Sequence, residues 1–194
     1  TDPSNRFVSV PSIAGSNGPN LIFQFKFDEA TGRLTPNSPP RVTPQEEAGP
    51  RHYCFHPEKD VVYFSDEQGC SVTVYGFDPS AGTLAAFQTV STLPDGYAGE
   101  NSCSQIQISP QGRFLYVPNR GHNSVACFSI DPASDLLTPI QRVPTEPVPR
   151  ALSLDPEGSF LYVAGEESGR LASYRVDAAT GMLDPLEVYD VGEA

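Results

Sequence analysis

The sequence predicts an all-β fold, a β-propeller of four-stranded antiparallel blades. Two motifs repeated in phase predict it. The first couples a turn to an aromatic-rich strand: DPSNRFVSV at 2–10, HPEKDVVYF at 56–64, SPQGRFLYV at 109–117 and DPEGSFLYV at 155–163. Its steps are 54, 53 and 46 residues. The second is FDEATGRL at 27–34, FDPSAGTL at 77–84, IDPASDLL at 130–137 and VDAATGML at 176–183, with steps of 50, 53 and 46. A locked period of this size, filled with short strands, is the spacing of a propeller blade.

Each unit resolves into four elements. In the third unit they are expected at 104–109, 114–118, 124–130 and 137–143. Val, Ile, Phe and Tyr alternate there with small or polar residues, the period-2 pattern of half-buried strands. Pro-x-Gly makes the turn into the second strand. In the turn between third and fourth strands, an Asp bonds its own backbone two residues on. Asp28, Asp78, Asp131 and Asp177 hold that place, and Gly takes the left-handed position. His56 stands in the turn position of Asp155 and is expected to be structural. Arg6 and Arg113, beside turns, are expected to be solvated. So are Glu46, Glu47, Glu166 and Glu167. No amphipathic helix is legible.

The units run about 1–47, 48–99, 100–146 and 147–194, read as one partial domain. The chain opens at the turn before a second strand. It closes at Val191-Gly192-Glu193-Ala194, where another first strand is expected to begin. A propeller removes its sheet edges by closing a ring. The phase therefore predicts about four blades of a larger ring, whose remainder is the chain's missing partner.

Composition narrows the function. The chain has 194 residues with 20 Pro and 16 Gly, below the proportion that marks disorder. Twelve basic against 24 acidic residues give a net charge of −12. Phosphate backbones are bound by Lys and Arg clusters, so no nucleic-acid partner is expected. No apolar run approaches the roughly 20 residues of a membrane helix, so no membrane partner is expected. Cys54, Cys70, Cys103 and Cys127 form no CxxC pair and no zinc-finger spacing. They read as free, mostly structural thiols, which favours a reducing compartment, the cytoplasm.

Charged residues within apolar context mark the candidate site. Arg51 and His52 follow Gly49-Pro50 at the start of a first strand. Asp66-Glu67 ends the next strand. Asn119-Arg120-Gly121-His122 fills the matching place one blade on, and Gly165-Glu166-Glu167 the place after that. Arg150 follows Pro149 as Arg51 follows Pro50. Taken alone, Arg51 and Glu67 fit an ordinary structural ion pair equally well.

Gly49-Pro50-Arg51-His52, Phe55-His56-Pro57 and Asp66-Glu67 resemble the lactonase propeller family. So do Gly99-Glu100-Asn101-Ser102, SPQGRFLYV at 109–117 and Asn119-Arg120-Gly121-His122. The family includes bacterial 6-phosphogluconolactonase and fungal 3-carboxy-cis,cis-muconate cyclase. The resemblance covers nearly the whole chain and implies a seven-bladed ring. It implies Glu67, Arg51 and Arg120 as catalytic residues, with a further His on a strand before Thr1. His52, Arg150, His122, Asn119, Glu100 and Asn101 are the expected substrate contacts. The implied substrate is a small anionic lactone, 6-phosphogluconolactone first, opened without metal or other cofactor. A muconate-type cycloisomerase and a non-catalytic binding propeller are the alternatives.

Two departures from the family pattern stand out. Gln105 and Gln107 occupy places where relatives commonly carry Glu and His. Asp66 stands where they commonly have Asn.

Because a protein at −12 repels an anion at long range, the site must present local positive charge. Guanidinium groups suit this, since their geometry matches carboxylate and phosphate.

Overall fold

The computed structural model describes residues 1–192; Glu193 and Ala194, where the next first strand is expected to continue, lie outside them. The alternating runs fold into antiparallel sheets, one per repeat. The first sheet holds β1 (Phe7–Ser12), β2 (Leu21–Asp28) and β3 (Arg33–Val42). The second holds β4 (Pro50–Phe55), β5 (Val61–Asp66), β6 (Ser71–Asp78) and β7 (Thr83–Ser91). The third holds β8 (Ser102–Cys103), β9 (Gln107–Ile108), β10 (Phe114–Arg120), β11 (Ser124–Ile130) and β12 (Leu137–Pro144). The fourth holds β13 (Pro149–Leu154), β14 (Phe160–Gly165), β15 (Arg170–Val176) and β16 (Leu183–Asp190). In the first, second and fourth sheets the strands pair in chain order, as propeller blades do; in the third, β8 and β9 both pair with β10. No α-helix occurs among the described residues, and none of them forms a helix able to cross a membrane.

The core lies between blades. Successive residues of a strand point to opposite faces, so a strand sandwiched between two blades must be apolar on both. All six residues of β5 are buried. Val61 and Tyr63 pack toward the third blade, with Leu115, Val117 and Phe128. Val62 and Phe64 pack toward the first, with Phe7 and Ile22. β10 repeats the arrangement: Leu115 and Val117 face the second blade, and Phe114 and Tyr116 join Leu161 and Val163 of the fourth. Burying one such side chain stabilises by about 1.5–3 kcal/mol, so each blade interface is held mainly by its inner strands.

The turns form as their chemistry requires. Oδ1 of Asp28, Asp78, Asp131 and Asp177 accepts the backbone N–H two residues on, at 2.8–3.0 Å. Gly82 (φ 67°) and Gly181 (φ 74°) take the left-handed place, and Asp135 (φ 61°) fills it in the third blade. There the Asp135 carboxylate pairs with Lys59 of the preceding blade.

Polar side chains also join the blades. Gln88 Oε1 accepts Leu137 N at 2.7 Å while its Nε2 donates to Leu137 O at 3.0 Å. Gln141 does the same to Leu183 at 2.7 and 3.2 Å. Arg6 and Arg113 are exposed but not merely solvated. Arg6 Nη2 donates to Pro79 O at 2.6 Å, and Arg113 donates to Ala178 O and Ala179 O at 3.3 and 3.4 Å. Each thus reaches the turn of the following blade.

One strand departs from expectation. The run 104–109 is not continuous: β8 and β9 pair separately with β10, leaving 104–106 between them. Ser104 N still donates to Pro118 O of β10 at 3.3 Å, while the Ser104 and Gln105 side chains bond across the blade boundary. Ser104 Oγ donates to Pro149 O at 2.8 Å, and Gln105 Oε1 accepts Leu152 N at 2.9 Å.

Candidate active site

The first strands carry the bulges that build the site. In β4 the register slips between Pro50 and His52, so Arg51 is the extra residue. In β13 it slips between Pro149 and Ala151, so Arg150 is the extra residue. A bulge re-aims the side chain it contains, and such bulges are common beside active sites. Glu67 and Arg120 come from equivalent places, at the ends of β5 and β10. Backbone bonds set the height of Glu67, whose N donates to Gly49 O at 2.7 Å and whose O accepts Cys103 N at 3.0 Å, while Arg120 pairs with Ser102 of β8.

These elements bring three predicted residues into one cluster. Arg51 Nε lies 2.6 Å from Glu67 Oε2, and Arg120 Nη2 lies 3.1 Å from Glu67 Oε1. Arg120 Nη2 also donates to Cys103 O at 2.8 Å. Side-chain exposures are 20% for Arg51, 16% for Glu67 and 13% for Arg120, so the cluster is sheltered but keeps some contact with solvent. Burial draws the Arg51 guanidinium below its ordinary value. Glu67 opposes that shift, while Arg120 and Arg150 add to it. Arg51 Nη1 and Arg120 Nε are buried without a hydrogen-bond partner among the described residues. Donors of this kind carry a desolvation cost that an acceptor would relieve.

The other expected contacts are distributed around the cluster. His52 is exposed on β4, and partial burial and then the Arg51 charge draw it below its ordinary value. Arg150 Nη1 reaches both Glu166 oxygens, at 2.6 and 2.8 Å, at an exposed position. Glu166, expected as plain surface, is therefore Arg150's partner, and Arg150 holds its carboxyl below the usual range. The signal for Glu166 was its repeat position, shared with Glu67 and Arg120. Glu100 is exposed, and its carbonyl accepts Tyr97 Oη at 3.2 Å. Asn101 Oδ1 accepts His122 N at 3.1 Å.

Asn119 is fully buried. Its Oδ1 lies 2.7 Å from Thr92 Oγ1 and 3.1 Å from Asn101 Nδ2, and its Nδ2 donates to Thr92 O and Ser124 Oγ, both at 3.2 Å. The structure thus uses Asn119 as a brace under the site rather than a surface facing a ligand. His122 joins the same network, its Nδ1 2.7 Å from Ser124 Oγ and its ring edge-on to Tyr97.

The two departures have structural uses. Gln105 and Gln107 accept Leu152 N and Leu154 N, at 2.9 and 2.8 Å, tying β9 and its approach to β13. Asp66 is fully buried, and its Oδ2 accepts Ser71 Oγ at 2.8 Å and Thr73 Oγ1 at 2.6 Å. Burial pushes its carboxyl up to about 6 despite those two bonds. Among the described residues, no three His, Cys, Asp or Glu side chains cluster as a metal site.

The sequence model of the family described as Lactonase, 7-bladed beta-propeller matches residues 1–194. The chain is similar to a 6-phosphogluconolactonase of Bacillus subtilis, 35% identical over 144 residues, covering 74% of this chain and 39% of that protein. It is similar to the 6-phosphogluconolactonase of Pectobacterium carotovorum, 34% identical over 153 residues, covering 79% and 45%. The structure of the Pseudomonas aeruginosa periplasmic gluconolactonase superposes with a TM-score of 0.91 at 28% identity, covering 99% of this chain and 53% of that one. The chain thus spans less than half the length of these two curated relatives. With its blades, its bulged first strands and a match along its whole length, the chain belongs to the seven-bladed β-propeller lactonase family.

Proposed function

We propose that the full-length protein is a lactone hydrolase acting on 6-phosphogluconolactone, with this chain supplying the anion-binding half of its site. The observation that carries the reading is the Glu67 carboxylate held between Arg51 and Arg120, with a buried free N–H on each guanidinium. The names of the Bacillus and Pectobacterium relatives support the substrate.

In this reading Glu67 takes a proton from water, and the resulting hydroxide adds to the ester carbonyl. Negative charge develops on the carbonyl oxygen, where Arg51 and Arg120 stabilise it. The ring C–O bond then breaks, and Glu67 returns the proton to the leaving alkoxide. Arg150, released from Glu166, meets the substrate's anionic group, with His52, His122, Glu100 and Asn101 around the mouth. The four free cysteines support a cytoplasmic setting.

The test is lactone hydrolysis by the full-length protein beside Glu67→Gln. The expected loss is roughly 10²–10⁴-fold in kcat. Unchanged turnover would remove Glu67 from the mechanism. Assay of a carboxymuconate alongside separates a cycloisomerase. A non-catalytic anion-binding propeller is the second reading, favoured by the neutral Gln105 and Gln107 and their commitment to β13. It predicts no turnover of either substrate, and anion binding that survives Glu67→Gln.

A further inference from the structure

Val148 holds a backbone conformation that its residue type resists. It stands just before β13 with φ 51°, in the left-handed region. A β-branched residue there is an outlier, because its Cβ crowds the backbone. Pro149 follows it, and a proline restricts the residue before it toward extended backbone. The equivalent residue before β4 is Gly49, with φ 68°.

Both blades use the backbone of this residue in the same way. Gly49 N donates to Asn20 Oδ1 at 2.9 Å, and Val148 N donates to Asn123 Oδ1 at 3.0 Å. Glu67 N donates to Gly49 O at 2.7 Å, and Glu166 N donates to Val148 O at 3.0 Å. A glycine at 148 would keep both bonds without the strain, so the bonds do not call for a valine. Strain kept against that alternative points to a use for the side chain.

The side chain lines a cavity of about 380 Å³, together with Glu100, Asn101, Ser102, Arg120 and Gly121. Arg120 Nη2 also holds Glu67 Oε1, so the cavity adjoins the charged cluster. Val148 is the one aliphatic side chain among these six. The wall at Gly121 (φ 129°) is close-packed backbone, where a Cβ would lie 2.2 Å from Glu100 O. That wall has no room to recede.

We propose that Val148 is a specificity-determining residue, limiting the site to lactones of a single sugar unit. The proposal rests on the lactonase reading and deepens it. Its two methyl groups take up space beside Arg120 that a second sugar ring would need. A cavity of this size lies near the small end of the range for ligand pockets. Bonds from both backbone groups, and a proline on either side, keep the wall from swinging away.

The experiment measures kcat/KM of the full-length protein for 6-phosphogluconolactone, glucono-1,5-lactone and lactobiono-1,5-lactone, which carries a second ring. Val148→Gly removes wall and strain together, whereas Val148→Ala shortens the wall and keeps the strain. Both should raise the ratio of lactobiono- to gluconolactone turnover, glycine by roughly tenfold or more. A merely structural residue would move both substrates together and leave the ratio alone. An unchanged ratio in an enzyme that hydrolyses 6-phosphogluconolactone overturns the proposal and leaves the lactonase reading standing. A ratio moved by glycine but not by alanine assigns the effect to strain and overturns it too. If the wild-type protein opens none of the lactones, the lactonase reading fails. Calorimetric titration with gluconate and lactobionate then decides the role of Val148. Glycine should raise relative lactobionate affinity by the same factor, and an unchanged ratio, or no binding of either acid, overturns the proposal.

Discussion

Arg51 Nε lies 2.6 Å from Glu67 Oε2, and the register slip of β4 is what turns Arg51 toward that carboxylate. In an unbulged strand each residue faces its partner across the ladder. Here one residue is left over, and its long side chain crosses to the end of β5. The pair therefore depends on a backbone irregularity as much as on charge.

Because that contact uses Nε while Nη1 stays without a partner, a lysine is a poor substitute. Arg51→Lys keeps the charge and loses the planar fork. In the proposed lactonase, losing one charge-assisted bond of about 1.5–3 kcal/mol is expected to lower kcat/KM roughly 10–100-fold. Steady-state kinetics on the lactone check this; a full-activity lysine variant would mean that only charge matters.

Asp66 should make stability pH-dependent. Its folded-state value, about 6, lies above the ordinary 3.8. The folded protein thus holds this proton more tightly than the unfolded chain. The contribution is fully present below about pH 4 and is lost as pH rises through 6. Asp66→Asn removes that loss. Its stability relative to wild type should rise by about 1–3 kcal/mol between pH 4 and pH 8. Urea unfolding at the two pH values measures the change, and a pH-independent difference refutes it.

The glutamine links between blades can be tested at Gln88. Gln88→Leu leaves Leu137 N–H and C=O without their side-chain partners. The expected cost is about 1–3 kcal/mol in urea unfolding. A neutral result would mean that solvent replaces both bonds.

Two glycines separate backbone strain from packing. Gly32 and Gly82 share a turn position and a left-handed φ, 70° and 67°. A Cβ on Gly32 would meet nothing within 4 Å, whereas on Gly82 it would lie 2.0 Å from the Phe7 ring. Gly32→Ala should cost about 1–2 kcal/mol from the left-handed backbone alone. Gly82→Ala should cost about 1–3 kcal/mol more, because Phe7 must move in a packed interface. Thermal unfolding of both variants checks the order, and equal losses would show that the ring yields freely.

By itself the sequence determined the blades, their order and the repeat positions of Glu67, Arg120 and Arg150. Those features rest on local physics: period-2 burial, Asx turns and left-handed glycines act within a few residues, so they are written in the order of the chain. Only the tertiary structure decided what those positions do. The bulges at Arg51 and Arg150 arise from strand pairing, and no residue type announces them. Asn119 reads as a site residue beside Arg120, yet the alternation that exposes one buries the other against Thr92. Gln105 and Gln107 look like losses from a channel until the next blade's backbone is seen to occupy them. A contact between blades is set by how whole sheets pack, and that arrangement has no local signature in the chain.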